Sequence, residues 1–359
     1  MVDGHTESVS AAGLQRGVAA MFVACGIEPA PAEHVAEDLV AADIEGVASH
    51  GVMLVPMYVE RLRAGSVSTG VTGVIVSDRQ GAVVVDAQNV LGQLTARQAV
   101  RLAVDRARQY GLAAVAMRNA FHFGTAGRYA RMIADEGAVG IVMSNTRPLM
   151  PAPGGAEALT GNNPLAIAAP SSGAFAPEID MALSAAAMGK IRNAAAAGQS
   201  IPAGWAADSD GNPTSDPAAA IKGMLLPAAG PKGYGLAFMI DLLVGGLSVG
   251  AIGPEVSGLY GDPAQPYRCS NLFIAIDVGH FVARDSFEAR AEGELARVSN
   301  TRRAPGTDRV YAPGELAHAA RQRSDGRASV APAALKSLID TGVSLGVDLP
   351  SYLQLRDHR

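Results

Sequence analysis

Between residues 29 and 47 the apolar side chains Val35, Leu39, Val40, Ile44 and Val47 recur at helical spacing along PAPAEHVAEDLVAADIEGV. That spacing predicts a helix with one apolar stripe, and Pro29 and Pro31 mark its start. The first 65 residues read as helical throughout: a break at Ala48-Ser49 leads into a second helix expected from His50 to Gly65. The pattern then turns to alternation and short β-branched runs, which predict strands at 73–78 and 82–86. A helix is expected at 92–109 and a strand at 112–117. From residue 118 onward Gly, Pro and Asn punctuate short apolar runs, with strands predicted at 139–144, 164–170, 178–183 and 271–278. Helices are predicted at 184–197 and 232–249, and again over the tail at 285–298 and 315–345. Helical ends around a strand-rich middle predict a mixed α/β fold in two parts. Residues 1–120, completed by 285–359, form one; residues 121–284 form the other.

Composition narrows the class. A chain of 359 residues that is 48% hydrophobic and 18% charged is a folded globular protein with a sizeable core. A net charge of −5 without a dense Lys/Arg tract speaks against nucleic acid or an anionic membrane as partner. Cys25 and Cys269 fit neither a disulfide framework nor a metal-ligand spacing, which suits a reducing, cytoplasmic setting. The start MVDGHTESVSAAGLQRG lacks a basic region and an apolar signal core, and no apolar run is long enough to span a membrane.

Ser49-His50-Gly51-Val52 places an imidazole at a helix mouth beside a hydroxyl that can orient it and a glycine that admits a ligand, the profile of a proton donor. A satisfied polar helix start fits the same letters. His122, within Phe121-His122-Phe123-Gly124-Thr125-Ala126-Gly127, follows a strand and precedes a helix, where side chains and free amides project into a cleft; a buried histidine satisfied by backbone fits as well. Pro231-Lys232-Gly233-Tyr234 opens an apolar helix after a glycine-rich loop, a combination suited to a pyrophosphate or to a plain turn with a solvated lysine. Asp180 and Ser184 stand at a strand end, and Gly161-Asn162-Asn163-Pro164 forms an amide-rich turn. Asp208-Ser209-Asp210-Gly211-Asn212 mimics a calcium loop, but Pro213 and a missing closing glutamate make it a turn, and no metal site is expected. No Gly-x-Gly-x-x-Gly follows a predicted strand, so a dinucleotide, if bound, sits on a non-Rossmann fold.

Taken in order, SHGV…PMYVERLRAG (49–65), HFGTAGRYA (122–130), GNNPLAIAAP (161–170), DMALSAAAMGKI (180–191), IPAGWAADSDGNPTSDP (201–217), PKGYGLAFMIDLL (231–243), NLFIAID (271–277) and PGE (313–315) resemble the type 2 malate/L-lactate dehydrogenase family. The resemblance covers roughly residues 30–320. It implies a non-Rossmann NAD(P)-binding mixed sheet, a homodimer, and hydride transfer between nicotinamide, NAD or NADP, and a small 2-oxo acid/2-hydroxy acid pair. On the family motifs His50 falls at the proton donor and acceptor, with Ser49 its orienting partner; His122 falls on a second active-site histidine. Tyr58 falls on the substrate side. His122, Phe123, Gly124, Asn163, Pro164, Asp180, Met181, Ala182, Lys232, Gly233, Pro313 and Gly314 fall on cofactor-contacting positions.

Three positions depart from the family pattern. Leu54 stands where an arginine usually clamps the substrate carboxylate, so either the substrate lacks that group or another cation holds it. Arg147 is the first substitute and Lys190 the second. Pro231 and Leu183 replace a usual histidine and threonine near the cofactor. A cyclic imine or other specialised carbonyl substrate, or a silent nucleotide-binding homologue, are the competing readings; Lys190, where imine reductases are typically acidic, favours the hydroxy acid.

Overall fold

The computed structural model describes residues 6–353; residues 1–5 and 354–359, counted in the helical part above, lie outside the described residues. At its centre is a seven-stranded sheet whose spatial order is Val74–Arg79, Ala82–Asp86, Leu112–Ala120, Cys269–Asp277, Ala138–Ser144, Leu165–Ala168 and Glu178–Met181. Ala82–Asp86 and Leu112–Ala120 run parallel, with Val83 opposite Val115, and helix Gly92–Tyr110 provides the crossover that a parallel pair requires. The other neighbours are antiparallel, and Phe273 at the centre lies opposite Val115 on one side and Val142 on the other.

Because strand side chains alternate between faces, the sheet feeds two cores. Ala113, Val115, Met117, Phe273 and Ala275 join the larger core, which includes Leu14, Val18 and Phe22 of helix Ala11–Ala24 and Val35 and Leu39 of helix Pro29–Ile44. Ala114, Ala116, Leu272 and Ile274 point the other way, into a smaller core with Leu183, Ile191, Ile240 and Val244. The boundary expected at residue 120 therefore does not divide the sheet: strands from both sides of it are hydrogen-bonded into one unit.

The chain ends meet, though not as helices alone. Strand Glu7–Ser10 pairs antiparallel with Arg327–Val330, placing a two-stranded ribbon where helix was expected at both ends. Val9, Ala328 and Val330 are its buried positions. The expected helix from His50 is also corrected. Residues Ala48–His50 and Val52–Leu54 form two 3-10 turns separated by extended Gly51, and the α-helix runs only over Val55–Ala64, with Pro56 in its first turn. The helix expected at 184 begins later, as Met188–Ala196, and the helix expected at 232–249 is Pro231–Asp241 followed by a π turn at Leu242–Gly246. Among the described residues no helix is long and apolar enough to cross a membrane.

Candidate active site

His122 lies two residues past the end of strand Leu112–Ala120. Phe121 and Phe123 on either side are buried, the latter edge-on to Tyr129 at 5.3 Å between ring centres. The Tyr129 hydroxyl lies 2.9 Å from both the Phe123 carbonyl and Asp38 Oδ2. Asp38, buried in helix Pro29–Ile44, also accepts from Arg97 and Arg128. This ion-pair network ties the His122 loop to the helix that leads to His50.

Asp43 braces the turn that follows His50. The buried Asp43 carboxylate accepts the Val52 N–H at 2.8 Å. Its Oδ1 would lie only 2.2 Å from a Cβ at position 51. Gly51 thus makes room for Asp43 rather than for a ligand, which corrects the role expected of it. Burial with a single hydrogen bond raises the Asp43 pKa to about 7. Above the turn, the exposed Ser49 Oγ lies 2.9 Å from His50 Nδ1.

The two imidazoles stack with ring centres 5.4 Å apart and planes 27° from parallel. Desolvation lowers the His50 pKa; desolvation and then the charge of His50 lower that of His122 to about 3. Both rings are therefore neutral at pH 7. His122 Nδ1 lies 2.7 Å from the Tyr58 hydroxyl, and neither ring's Nε2 has a protein partner among the described residues.

Both histidines line a cavity of about 760 Å³, within the usual range for small-molecule sites. Its walls continue through Phe123, Gly124, Thr125 and Ala126 at the start of helix Ala126–Asp135, whose N-cap Thr125 makes no side-chain cap. Asp180 accepts the Gly127 N–H at 2.8 Å, and burial raises its pKa to about 6. Arg131 reaches the cavity but is committed, donating to Glu178 at 2.8 Å and Glu45 at 2.6 Å. Tyr311, Ala312, Pro313, Gly314, Leu316 and Ala317 close the far side, pinned by Glu315, which accepts the Ala312 N–H.

Of the residues expected at the site, His50, His122, Phe123, Gly124, Pro164, Asp180, Ala182, Pro313 and Gly314 share this cavity, with Ser49 bonded to His50 behind it. Tyr58 is fully buried and contacts His122 rather than the cavity. Leu54 is 1% exposed in the main core, because the second 3-10 turn directs it inward, so it does not line the wall. Asn163 is buried: its Oδ1 accepts the Thr146 N–H and its amide donates to the Ala237 carbonyl, so it fastens the loop that bears Asn162 and Pro164. Lys232 is exposed and Gly233 is packed against the Ala228 carbonyl, and neither lines the cavity. Met181, Arg147 and Lys190 are exposed outside the wall, Lys190 three residues beyond the lining Ala187. Asp208 accepts N–H groups of Asp210 and Asn212, as a turn does. Sequence reasoning missed Glu45, Arg131, Glu178, Tyr267 and Cys269. Each is brought in by strand or helix neighbours distant in sequence, and only Glu178, at the head of the Asp180 strand, carried a local signal.

A two-histidine cleft beside a mixed sheet with a single parallel strand pair sets this fold apart from the doubly wound dehydrogenases. The chain belongs to the malate/L-lactate dehydrogenase family, whose profile matches residues 9–338. L-sulfolactate dehydrogenase from Methanocaldococcus jannaschii is 34% identical over 92% of this chain and 94% of its own. A solved structure of the sulfolactate dehydrogenase from that organism superposes with a TM-score of 0.91 at 31% identity, covering 96% of this chain and 99% of the other. Ureidoglycolate dehydrogenase (NAD(+)) from Escherichia coli K12 is 36% identical, over 81% of this chain and 82% of its own. (2R)-3-sulfolactate dehydrogenase (NADP(+)) from Chromohalobacter salexigens is 37% identical, over 79% and 87%.

Proposed function

We propose that this protein is a NAD(P)-dependent oxidoreductase that interconverts a small 2-hydroxy acid and its 2-oxo acid, with His50 as proton donor and acceptor. The observation that carries this reading is the pair of neutral, stacked imidazoles lining one cavity together with the start of helix Ala126–Asp135. The residues present fit a dinucleotide: Thr125 makes no side-chain cap on the helix that follows it and Asp180 takes only its Gly127 N–H, while Gly124 and Gly314, at φ 92° and 90°, let the backbone approach a ligand closely. His122, Phe123, Gly124, Pro164, Asp180, Ala182, Pro313 and Gly314 would hold it. The nicotinamide, when bound, supplies the hydride.

The chain's own part is proton management and positioning. Charge that develops on the substrate carbonyl oxygen is met by a proton from His50, and in the reverse direction neutral His50 accepts the hydroxyl proton. Ser49 suits this task because its exposed hydroxyl can turn to donate to or accept from Nδ1 as the ring changes protonation state. For the substrate carboxylate, Leu54 is in the core and Arg131 is already paired. Arg147 is exposed, and among the described residues its one side-chain hydrogen bond is a 3.5 Å contact to the Pro148 carbonyl. It follows Thr146, which lines the cavity, whereas Lys190 stands three residues past the lining Ala187. Arg147 is therefore the anchor favoured here, with Lys190 second.

Association as a homodimer is supported by Leu236, Met239, Leu243 and Leu247, which recur at helical spacing and stay 40%, 48%, 36% and 55% exposed. Free Cys25 and Cys269 suit a cytoplasmic setting. The test is binding of NADH and NADPH to the intact protein, read as cofactor fluorescence and thermal shift. At least one should bind and raise the melting temperature; silence with both removes the cofactor and the reaction built on it.

A further inference from the structure

Gln93 touches nothing in the cavity, yet it is completely buried beside the residues that support His122. Helix Gly92–Tyr110 starts hard against the His122 loop: a Cβ at position 92 would lie 2.3 Å from the Phe121 carbonyl oxygen and 2.4 Å from that of His122. This close approach puts Gln93 Nε2 at 3.2 Å from the Tyr58 hydroxyl. The other end of the Gln93 amide, Oε1, is buried without a hydrogen-bond partner. A buried polar atom left unpaired is costly, and a methionine of similar size would avoid it. What the glutamine contributes is the N–H aimed at Tyr58.

The Tyr58 oxygen has three polar neighbours: Gln93 Nε2 at 3.2 Å, His122 Nδ1 at 2.7 Å and the His122 carbonyl oxygen at 3.1 Å. It has one proton to give and two lone pairs to offer. The carbonyl can only accept and the glutamine N–H can only donate. One arrangement satisfies all three contacts: Tyr58 donates to the carbonyl and accepts from Gln93 and from His122 Nδ1–H. In the other arrangement Tyr58 donates to Nδ1, leaving its oxygen against the carbonyl oxygen at 3.1 Å with no proton between them. Turning the Gln93 amide over does not help, since its oxygen would then compete for the same single proton.

We propose that Gln93 is a positioning residue which, through Tyr58, holds His122 as the Nδ1–H tautomer and leaves its Nε2 as a lone-pair acceptor for whatever enters the cavity. The assignment of tautomer is independent of the function proposed above; only the use of the lone pair, to receive a hydrogen bond from the bound cofactor, rests on it. The two histidines then differ in kind. His50 has a rotating, exposed serine behind it and can change state, whereas His122 is locked behind two buried partners. Burial, which keeps His122 uncharged down to about pH 3, maintains the lock at neutral pH.

The experiment is a long-range proton–nitrogen correlation spectrum of the full chain labelled with nitrogen-15 histidine at neutral pH, with the His122 signals assigned by their loss in His122→Gln. Wild type should show a protonated Nδ1 and an unprotonated Nε2. Gln93→Met and Tyr58→Phe should each move His122 toward a mixture or toward Nε2–H, while His50 keeps its own signature. A wild-type His122 protonated at Nε2 overturns the proposal, and so does an unchanged His122 pattern in a folded Gln93→Met. If Gln93→Met fails to fold, the wild-type spectrum and Tyr58→Phe still decide. The spectrum is recorded without cofactor or substrate and reads the tautomer alone, so failure here is distinguishable from failure of the proposed function, which is read by NADH and NADPH binding to wild type.

Discussion

His122→Asn should make the protein less sensitive to acid, by an amount that follows from burial of the ring. In the folded chain His122 titrates at about 3 instead of 6.5. The unfolded chain therefore takes up a proton as the pH falls below its ordinary value, while the folded chain refuses it. The stability associated with the neutral ring is complete above the unfolded value and drains away as the pH falls toward the folded one. At about pH 5 the loss from this one group amounts to about 2 kcal/mol, and at about pH 7.5 it is close to zero. Asparagine does not titrate. Whatever the substitution costs by breaking the contact to Tyr58, that cost should shrink by about 2 kcal/mol between the two pH values. Urea unfolding of both proteins at each pH, at one protein concentration and ionic strength, gives the double difference and cancels the other titrating groups. A difference that stays constant within about 0.5 kcal/mol refutes the argument that burial keeps His122 neutral.

Asp43 titrates with the opposite sign: its raised value of about 7 against 3.8 means that its stability contribution is full in acid and is lost as the pH rises through 7. Asp43→Asn keeps an acceptor for the Val52 N–H, so near pH 8 it should be more stable than wild type by about 3–4 kcal/mol and near pH 4 about equal; thermal scans showing no pH-dependent gain contradict this. The Arg61 guanidinium donates to the carbonyls of Gly258, Leu259 and Gln265 from a site 1% exposed, a fork that an ammonium cannot reproduce. Arg61→Lys should cost about 2–4 kcal/mol and increase protease cleavage at 258–265, and an unchanged melting curve would show that the fork is dispensable. Leu54→Ala should cost about 2–5 kcal/mol as a cavity in the main core, and a near-neutral effect would mean that Leu54 faces the ligand after all.

Much of the central sheet was legible because the strands Ala82–Asp86, Ala138–Ser144 and Cys269–Asp277 are short β-branched or apolar runs bounded by turn residues. The ribbon of Glu7–Ser10 with Arg327–Val330 was not. Each strand is four residues long, too short for a periodic signal, and pairs with a partner at the other end of the chain. His50 and His122 stood out by residue type and neighbours, but the groups that set their chemistry were hidden. Asp43 and Gln93 read as ordinary helix residues, and only the packing of Gly51 and Gly92 reveals why each is there. Leu54 shows the reverse error: a position assigned to the ligand by its offset from His50 turns into the core, because the segment is two 3-10 turns with an extended glycine between them and not one continuous helix.

The role proposed for His50 is to move the proton in a nicotinamide-dependent reaction. It is tested most directly by oxidation of NADH or NADPH with a panel of 2-oxo acids, for wild type and His50→Asn, alongside cofactor titration of both. Wild type should turn over at least one 2-oxo acid. The variant should lose about 10²–10⁴-fold in kcat with cofactor affinity retained. A variant that binds cofactor and turns over as fast as wild type contradicts that role.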